Sequence, residues 1–456
     1  MFHKLKQCKT IKEIYEVLGN KPFEIVALLI IFVWVTMPLI STIGQLEIGL
    51  NSDYELAQKR LVISDYQNNV KSIGFFSLEF ALIFLLGRIL INKGQVKNKV
   101  KSEPWHYSLV LMLVWACIST ILSDDPHTAF WGTEYRFDGL LTYFFYAAVY
   151  ICAVIVINSQ SRKWIFIAYT MVGNVVSVLL VLQDWGSELL NKCFMSDRAA
   201  MFFHFNHAGY FLCMSIAALM GMYLYEKKRV IRILYVISMI VQVYGLLVNS
   251  TLGGYLGITC ALIMILIFFV RKNKRFAWRM ITPVLVIVLL AVASYMGYVP
   301  TGSGEDMKVN ISTMLTDTKG IVENSDYALT AGHGRMTLWK RSLKMIPERP
   351  IFGYGPELLK NEYMEDLWTD RASNEFIQYA VFLGIPGLIF YLTALICLFI
   401  HQWKNIEYLN TVTLVAAGCV IAYLVSSFFG NTMFYTTPYF YMFLAMASGK
   451  KFDSCS

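Results

Sequence analysis

The chain is short of charge. Only 15% of its 456 residues are Asp, Glu, Lys or Arg, against about a quarter in a soluble globular domain. Hydrophobic residues make up 57%, and the mean hydropathy is +0.53. A soluble enzyme is excluded by this balance. No nucleic-acid-binding motif is present. The short alternating segments of a β-barrel are missing as well, since the apolar runs are continuous and close to twenty residues long. No small-residue cleavage site follows the polar, basic residues 1–22, so the first apolar run reads as a span rather than a removed signal. Internal repeats and low-complexity tracts are absent. The nine cysteines form no disulfide framework. Cys117, Cys152, Cys213, Cys260, Cys397 and Cys419 lie in apolar runs, Cys8 and Cys455 at the termini, and Cys193 alone in a polar loop.

What is present is a series of apolar runs. They predict an all-α polytopic membrane protein of about twelve transmembrane helices. The spans are 23–43, 72–91, 105–123, 139–158, 164–183, 207–225, 231–249, 252–270, 280–299, 375–400, 411–430 and 434–449. The chain then divides into an N-terminal segment 1–22, spans one to nine within 23–299, a long polar loop 300–374, spans ten to twelve within 375–449, and a tail 450–456. Basic residues decide the orientation. With the N-terminus in the cytoplasm, the inner segments hold 24 Lys and Arg, and the outer ones, the long loop aside, hold 6. Both termini are expected in the cytoplasm and the 300–374 loop outside. The net charge of +8 is then a property of the inner surface and suits an anionic leaflet.

Four outer segments mix aromatic, Gly and polar residues: FWGTEYRFDGLLTY (130–143), RAAMFFHFNHAGYF (198–211), GHGRMTLWKRSL (332–343) and DRASNEFIQ (370–378). Taken singly, their aromatics read as an interfacial belt, and each Arg as a solvated or paired loop charge. Together on one face they suggest a site. Arg335–Met345 has the spacing of an amphipathic helix. Asn374 stands where span ten begins and is a favoured N-cap type, with Gln378 on the same helix face. The outward N-terminus of span ten can attract an anion. Pro386 is expected to kink the span. Gly353-Tyr354-Gly355-Pro356 reads as a tight turn and only weakly as a phosphate cradle. Glu79, inside span two, is either functional or paired with a neighbouring span. His204-x-x-His207 lacks a ligand set at metal-binding spacing, so no metal site is expected.

The pattern resembles the O-antigen ligase and polymerase family of bacterial membrane glycosyltransferases, with a GT-C-like fold. The likeness lies in the twelve-span layout, the long loop between spans nine and ten, and the four segments. GHGRMTLWKRSLKMIPERPIFGYGPE (332–357) is the most specific match, and STLGGYLG (250–257) is similar to Firmicute members. Two positions depart from the family. Ser373 stands where a His often precedes Asn374, and Ser250-Thr251-Leu252-Gly253 replaces a Ser-Arg-Gly.

The resemblance implies transfer of a glycan from a polyprenyl-diphosphate-linked donor to a glycan or lipid-anchored acceptor, at the outer face of a bacterial cytoplasmic membrane. Beyond these and the lipid bilayer, no partner, nucleic acid, cofactor or metal is expected. A leaving diphosphate calls for fixed guanidinium groups, for which Arg335, Arg136 and Arg371 are candidates, with Arg198 a further outer Arg. The acceptor hydroxyl calls for a proton acceptor, His333 or Glu375, with Asp370 a third choice. Trp131, Tyr135, Phe203, Trp339 and Tyr354 offer stacking surfaces for sugar, and Asn206, His207 and Asn374 offer polar contacts. Two other readings stand beside this one: a flippase or transporter of lipid-linked sugars, and a catalytically degenerate relative.

Overall fold

The computed structural model describes residues 2–51, 72–91, 103–133, 136–156, 162–194, 196–202, 204–272, 275–299, 308–309, 312, 315–316, 335–359 and 371–449. These residues form helices and connecting turns, with no strand among them. The expectations for Tyr135, Phe203, His333, Asp370 and the tail 450–456 lie outside the described residues.

The helices in chain order are α1 (Ile11–Leu18), α2 (Lys21–Asn51), α3 (Ser72–Ile91), α4 (Pro104–Ile121), α5 (Pro126–Trp131), α6 (Leu140–Val156), α7 (Arg162–Asp184), α8 (Glu188–Cys193), α9 (Phe205–Tyr225), α10 (Arg229–Asn249), α11 (Leu252–Lys272), α12 (Arg275–Tyr295), α13 (Arg335–Met345), α14 (Glu375–Asn405), α15 (Thr411–Ser427) and α16 (Thr437–Ala447). Every run read as a span coincides with one of them. Among the described residues, nine are long and apolar enough to cross a membrane. The other three, α6, α15 and α16, have 17, 17 and 11 residues. α15 and α16 are shorter than expected because the chain between them leaves the helix. Residues 428–436 form a loop, and Pro438 starts α16 where its missing N–H costs nothing.

α9 is the centre of the bundle, with 94% of its apolar window buried. Neighbours approach it closely through small residues, as helices in lipid commonly do. Gly221 of α9 packs against Val415 of α15. The Cys213 thiol lies 3.2 Å from the Ser426 hydroxyl, and that hydroxyl donates to the Gly253 carbonyl of α11 at 2.9 Å. Helix α3 is mostly outward-facing. Its Glu79 is exposed, and no partner for it is seen among the described residues.

The feature that positions the site is a break in α14. Gly384 has φ +70° and ψ 178°, which splits α14 into two half-helices two residues before Pro386. A break inside a membrane bundle survives only if the freed backbone groups find partners. Here they do. The Val381 and Phe382 carbonyls accept from the N–H groups of Tyr354 and Gly355, at 2.9 and 3.0 Å. Phe382 also accepts from the Ser119 hydroxyl at 2.8 Å, and Leu383 from the Trp115 indole at 2.9 Å. In return Ile385 N–H donates to the Pro350 carbonyl at 2.8 Å. The 350–355 turn is therefore inserted into the helix break. Its Tyr354 and Gly355 N–H groups serve α14, and that of Gly353 donates to the Arg349 carbonyl.

The fit requires glycine on both sides. A methyl group on Gly384 would overlap the Ile351 carbonyl oxygen, and one on Gly353 the Phe382 oxygen. Both residues also have positive φ, which costs other residues about 1–3 kcal/mol before any overlap. Gly384→Ala should therefore destabilise the protein by several times the cost of Gly186→Ala. Gly186 has positive φ but open space around it. Thermal unfolding in detergent compares the two; equal shifts would show that the inserted turn contributes nothing.

Candidate functional site

Residues 133, 136–138, 198–202, 204–207, 335–345, 353–359, 371–378 and 428–437 meet at one end of the bundle. Their centre is a buried ionic cluster. Arg371 is fully buried. Its Nη1 donates to Asp138 Oδ2 at 2.9 Å and to the Thr432 carbonyl at 3.1 Å, and its Nη2 donates to Glu357 Oε1 at 3.0 Å. Glu357 also accepts from Thr133 N–H (2.9 Å), the Thr133 hydroxyl (3.0 Å) and Asp138 N–H (2.7 Å). Asp138 accepts from the Tyr146 hydroxyl at 2.9 Å and the Thr432 hydroxyl at 3.2 Å. Thr432 in turn accepts from Gln378 at 2.7 Å. Burial pushes the Glu357 carboxyl above its ordinary value, with the Asp138 charge adding to it. Arg371 and the backbone N–H groups of Thr133 and Asp138 pull the other way. A single guanidinium thus holds two carboxylates, and through them three segments.

The two loops that face each other across this cluster also bring Arg136 to the site. Arg136 Nη1 lies 3.9 Å from the Met433 sulfur. Arg335 opens α13, and Trp339, one turn on, shares its helix face. The Trp339 indole donates to the Ser373 carbonyl at 3.2 Å and stacks edge-on against Phe428 at 5.4 Å. These contacts lay α13 across the start of α14. Arg335 comes within electrostatic reach of Tyr210 and His204, and Arg136 reaches His204 and Tyr435. Burial is the main reason the Tyr435 hydroxyl lies far above its usual range, and Arg136 works against it.

His204 is the point on which both arginines act. It caps α9, its Nδ1 accepting from Asn206 N–H at 3.2 Å. A ring that accepts at Nδ1 carries its proton on Nε2. Burial first, then Arg136 and Arg335, lower its pKa to about 4. It is therefore neutral at pH 7 and offers an N–H. His207 is buried three residues on, its ring 6.3 Å from that of His204. The Asn206 side chain is half-buried in the same turn.

Other sequence candidates take definite places. Asn374 caps α14 as expected, its Oδ1 accepting from Phe376 and Ile377 N–H, each at 3.0 Å. Those N–H groups are thereby satisfied by the protein. Glu375 is fully buried, and its Oε1 accepts from the Tyr391 hydroxyl at 3.0 Å, across the break at Gly384. Arg198 is half-buried, and its carbonyl accepts from Asn249 at 2.7 Å. Trp131 is exposed, and the Tyr354 hydroxyl donates to Glu348 at 2.5 Å. Among the described residues no cluster of His, Cys, Asp or Glu could hold a metal ion.

Asp138, Glu357 and Thr432 were not singled out by sequence. One signal is visible in the backbone. All six described non-glycine residues with positive φ are Phe137, Arg198, Ala200, Ser250, Glu357 and Ser373. Every one lies at this end, where strain of about 1–3 kcal/mol each must be held by surrounding contacts. Ser373 is the residue whose carbonyl anchors Trp339.

Two outcomes test this account. Arg371→Met leaves two buried carboxylates without their cation, and should cost on the order of 3–5 kcal/mol in thermal unfolding. Adding Asp138→Asn should recover part of the loss. His204 has a folded pKa below its unfolded value, so the unfolded chain binds more protons between pH 6.5 and about 4. The stability it contributes is present above pH 6.5 and lost as pH falls toward 4. His204→Asn, which keeps a capping oxygen, should flatten that part of the stability–pH curve relative to the parent.

The family described as O-antigen ligase matches residues 237–392. This stretch includes Arg335, Trp339, Glu357, Arg371, Asn374 and Glu375; Arg136, Asp138, His204 and Thr432 lie outside it. No curated protein matches the chain. The stretch matched is therefore similar to the O-antigen ligase family, and the apolar helices are those of a multi-pass membrane protein.

Proposed function

We propose that the protein transfers a glycan from a polyprenyl-diphosphate donor to a hydroxyl acceptor, at the bundle end that carries Arg136 and Arg335. That end is taken as the outer face of a bacterial cytoplasmic membrane, with both termini cytoplasmic. The observation that carries the reading is the approach of these two arginines, from loops about two hundred residues apart in the chain, to one neutral histidine. In the reaction the bond between the anomeric carbon and the diphosphate oxygen breaks. A new bond forms from the acceptor oxygen, and the acceptor proton leaves. Charge grows on the leaving diphosphate, so fixed guanidinium groups lower the barrier and do more than bind substrate.

The reading gives each residue a role. Arg136 and Arg335 bind the diphosphate oxygens, and Arg198 stands further along the same surface. The Nε2–H of His204 donates to an oxygen of the same group, with His207 packed behind it. Arg371 acts by holding the loops of Asp138 and Glu357, since its guanidinium is fully buried. Asn374 acts by ending α14, and Trp339 and Asn206 line the approach. Glu375 and His333 are the proposed proton acceptors.

A transporter reading has one observation in its favour, because carriers often bind substrate at a broken helix. Here the break at Gly384 is filled by residues 350–355 of the chain itself, which favours the enzyme. Reconstitution with a polyprenyl-diphosphate oligosaccharide distinguishes them. Longer or transferred glycan with release of lipid diphosphate is expected. Arg335→Ala and Arg136→Ala should each lower the rate by about a hundredfold or more. Movement of intact donor across the bilayer without covalent change would overturn the proposal. Product size then separates a polymerase from a ligase.

A further inference from the structure

At the end of the bundle opposite this site, α11, α14 and α15 leave a groove of about 600 Å³. Its wall is apolar: Ile267 and Phe268 of α11, Phe399, Ile400 and Trp403 of α14, and Ile421 of α15. The volume is that of a ligand pocket, about 300–1,000 Å³. Ile267, Ile400 and Trp403 are roughly half exposed, so the groove opens sideways to whatever surrounds the helices.

Cations stand at its rim. Lys404 lines the groove and is exposed. The Arg271 guanidinium stacks on the Trp403 ring at 4.1 Å from its centre. This contact holds the guanidinium at the mouth, where Arg271 is exposed. Lys272 is already engaged, donating to the Leu409 carbonyl at the turn into α15. Among the described residues neither Arg271 nor Lys404 has a carboxylate partner, although Glu407 is exposed three residues beyond Lys404. Two unpaired cations over an apolar slot between spanning helices form a complement to one chemistry: an anion carried on a hydrocarbon chain.

We propose that this groove binds an anionic membrane phospholipid, with an acyl chain along Ile267, Ile400 and Ile421 and the phosphate between Arg271 and Lys404. Trp403 serves both parts. Its ring closes the apolar slot and holds Arg271 at the depth of a headgroup, where indole side chains settle. The site is separate from the Arg136–Arg335 face and does not depend on the reaction assigned to it. It would fix the second half of α14 in the bilayer, the half that the break at Gly384 uncouples from the first.

The test uses the full chain purified in a neutral detergent and titrated with phosphatidylglycerol or phosphatidylcholine, with retained lipid read by native mass spectrometry. The parent should retain phosphatidylglycerol at least about tenfold more strongly. The double variant Arg271→Gln/Lys404→Gln should lose that preference, and Arg271→Lys/Lys404→Arg should keep most of it. Ile267→Trp fills the slot with both cations in place and should abolish retention of either lipid; it decides the matter if the double variant fails to fold. Equal retention of the two lipids by the parent would overturn the proposal, as would an unchanged preference in the Gln variant. Inorganic phosphate competing as well as the lipid would reduce the site to an anion site, and a dimer that excludes lipid would assign the groove to a second copy. Either result also overturns it.

Discussion

The site end depends on one buried cation. Arg371 sits between Asp138 and Glu357 with no exposure to solvent. An ion pair in so dry a place is not a net source of stability. Its desolvation cost is comparable to its attraction, and other groups must satisfy what remains. That is the role of Thr133, Tyr146, Thr432 and Gln378, each of which directs a hydrogen bond into the cluster. The cluster makes the geometry specific. The loop before α6, the turn after Gly355, the start of α14 and the loop before α16 can satisfy these charges in one arrangement. Arg136 and Met433 lie in the same loops, one or two residues from Asp138 and Thr432, so the cluster sets where Arg136 stands.

The second constraint is the inserted turn. A helix that crosses a membrane normally satisfies its own backbone, but α14 does not. Its carbonyls at Val381, Phe382 and Leu383 rely on Tyr354, Gly355, Ser119 and Trp115. The turn also links to the loop after α4 through an exposed ion pair, Arg349 to Asp124 at 2.5 Å. Such a pair adds little stability by itself. The direction of the chain leaving it nevertheless leads Glu357 into the ionic cluster. The broken helix and the buried arginine thus depend on one another.

Much of this was legible in the sequence where the signal is local. Hydrophobic runs placed the helices, with ends within five residues except at Asn51, eight residues past the expected end of the first span. The amphipathic stretch Arg335–Met345 is a helix with those bounds, and Asn374 is the cap its chemistry suggested. The kink near Pro386 was anticipated, but its position at Gly384 and its filling by 350–355 were not, because the partners lie some thirty residues away or more in the chain. The ionic cluster left no local trace. Asp138 looks like any loop acid, and Arg371 looked like a substrate ligand; burial, which periodicity does not report in a loop, gives it another place. Among the described residues nine helices are full-length spans. Gly430 looked like the last residue of a span, yet with Asn431 and Thr432 it belongs to the loop that completes the site.

The spacing of the cluster along the chain has a consequence for how the protein is made. Asp138 and its cation are 233 residues apart, and Asp138 and Thr432 are 294 apart. At a synthesis rate of about 5–20 residues per second, Asp138 emerges well over ten seconds before Arg371, and longer still before Thr432. During that interval five helices, α7, α9, α10, α11 and α12, are long and apolar enough to enter the bilayer, yet the carboxylate beside them has no counter-ion. It must wait at the membrane surface, hydrated, until the last quarter of the chain arrives. The functional end of the bundle can therefore close only after Arg371 and Thr432 have followed the middle helices out of the ribosome.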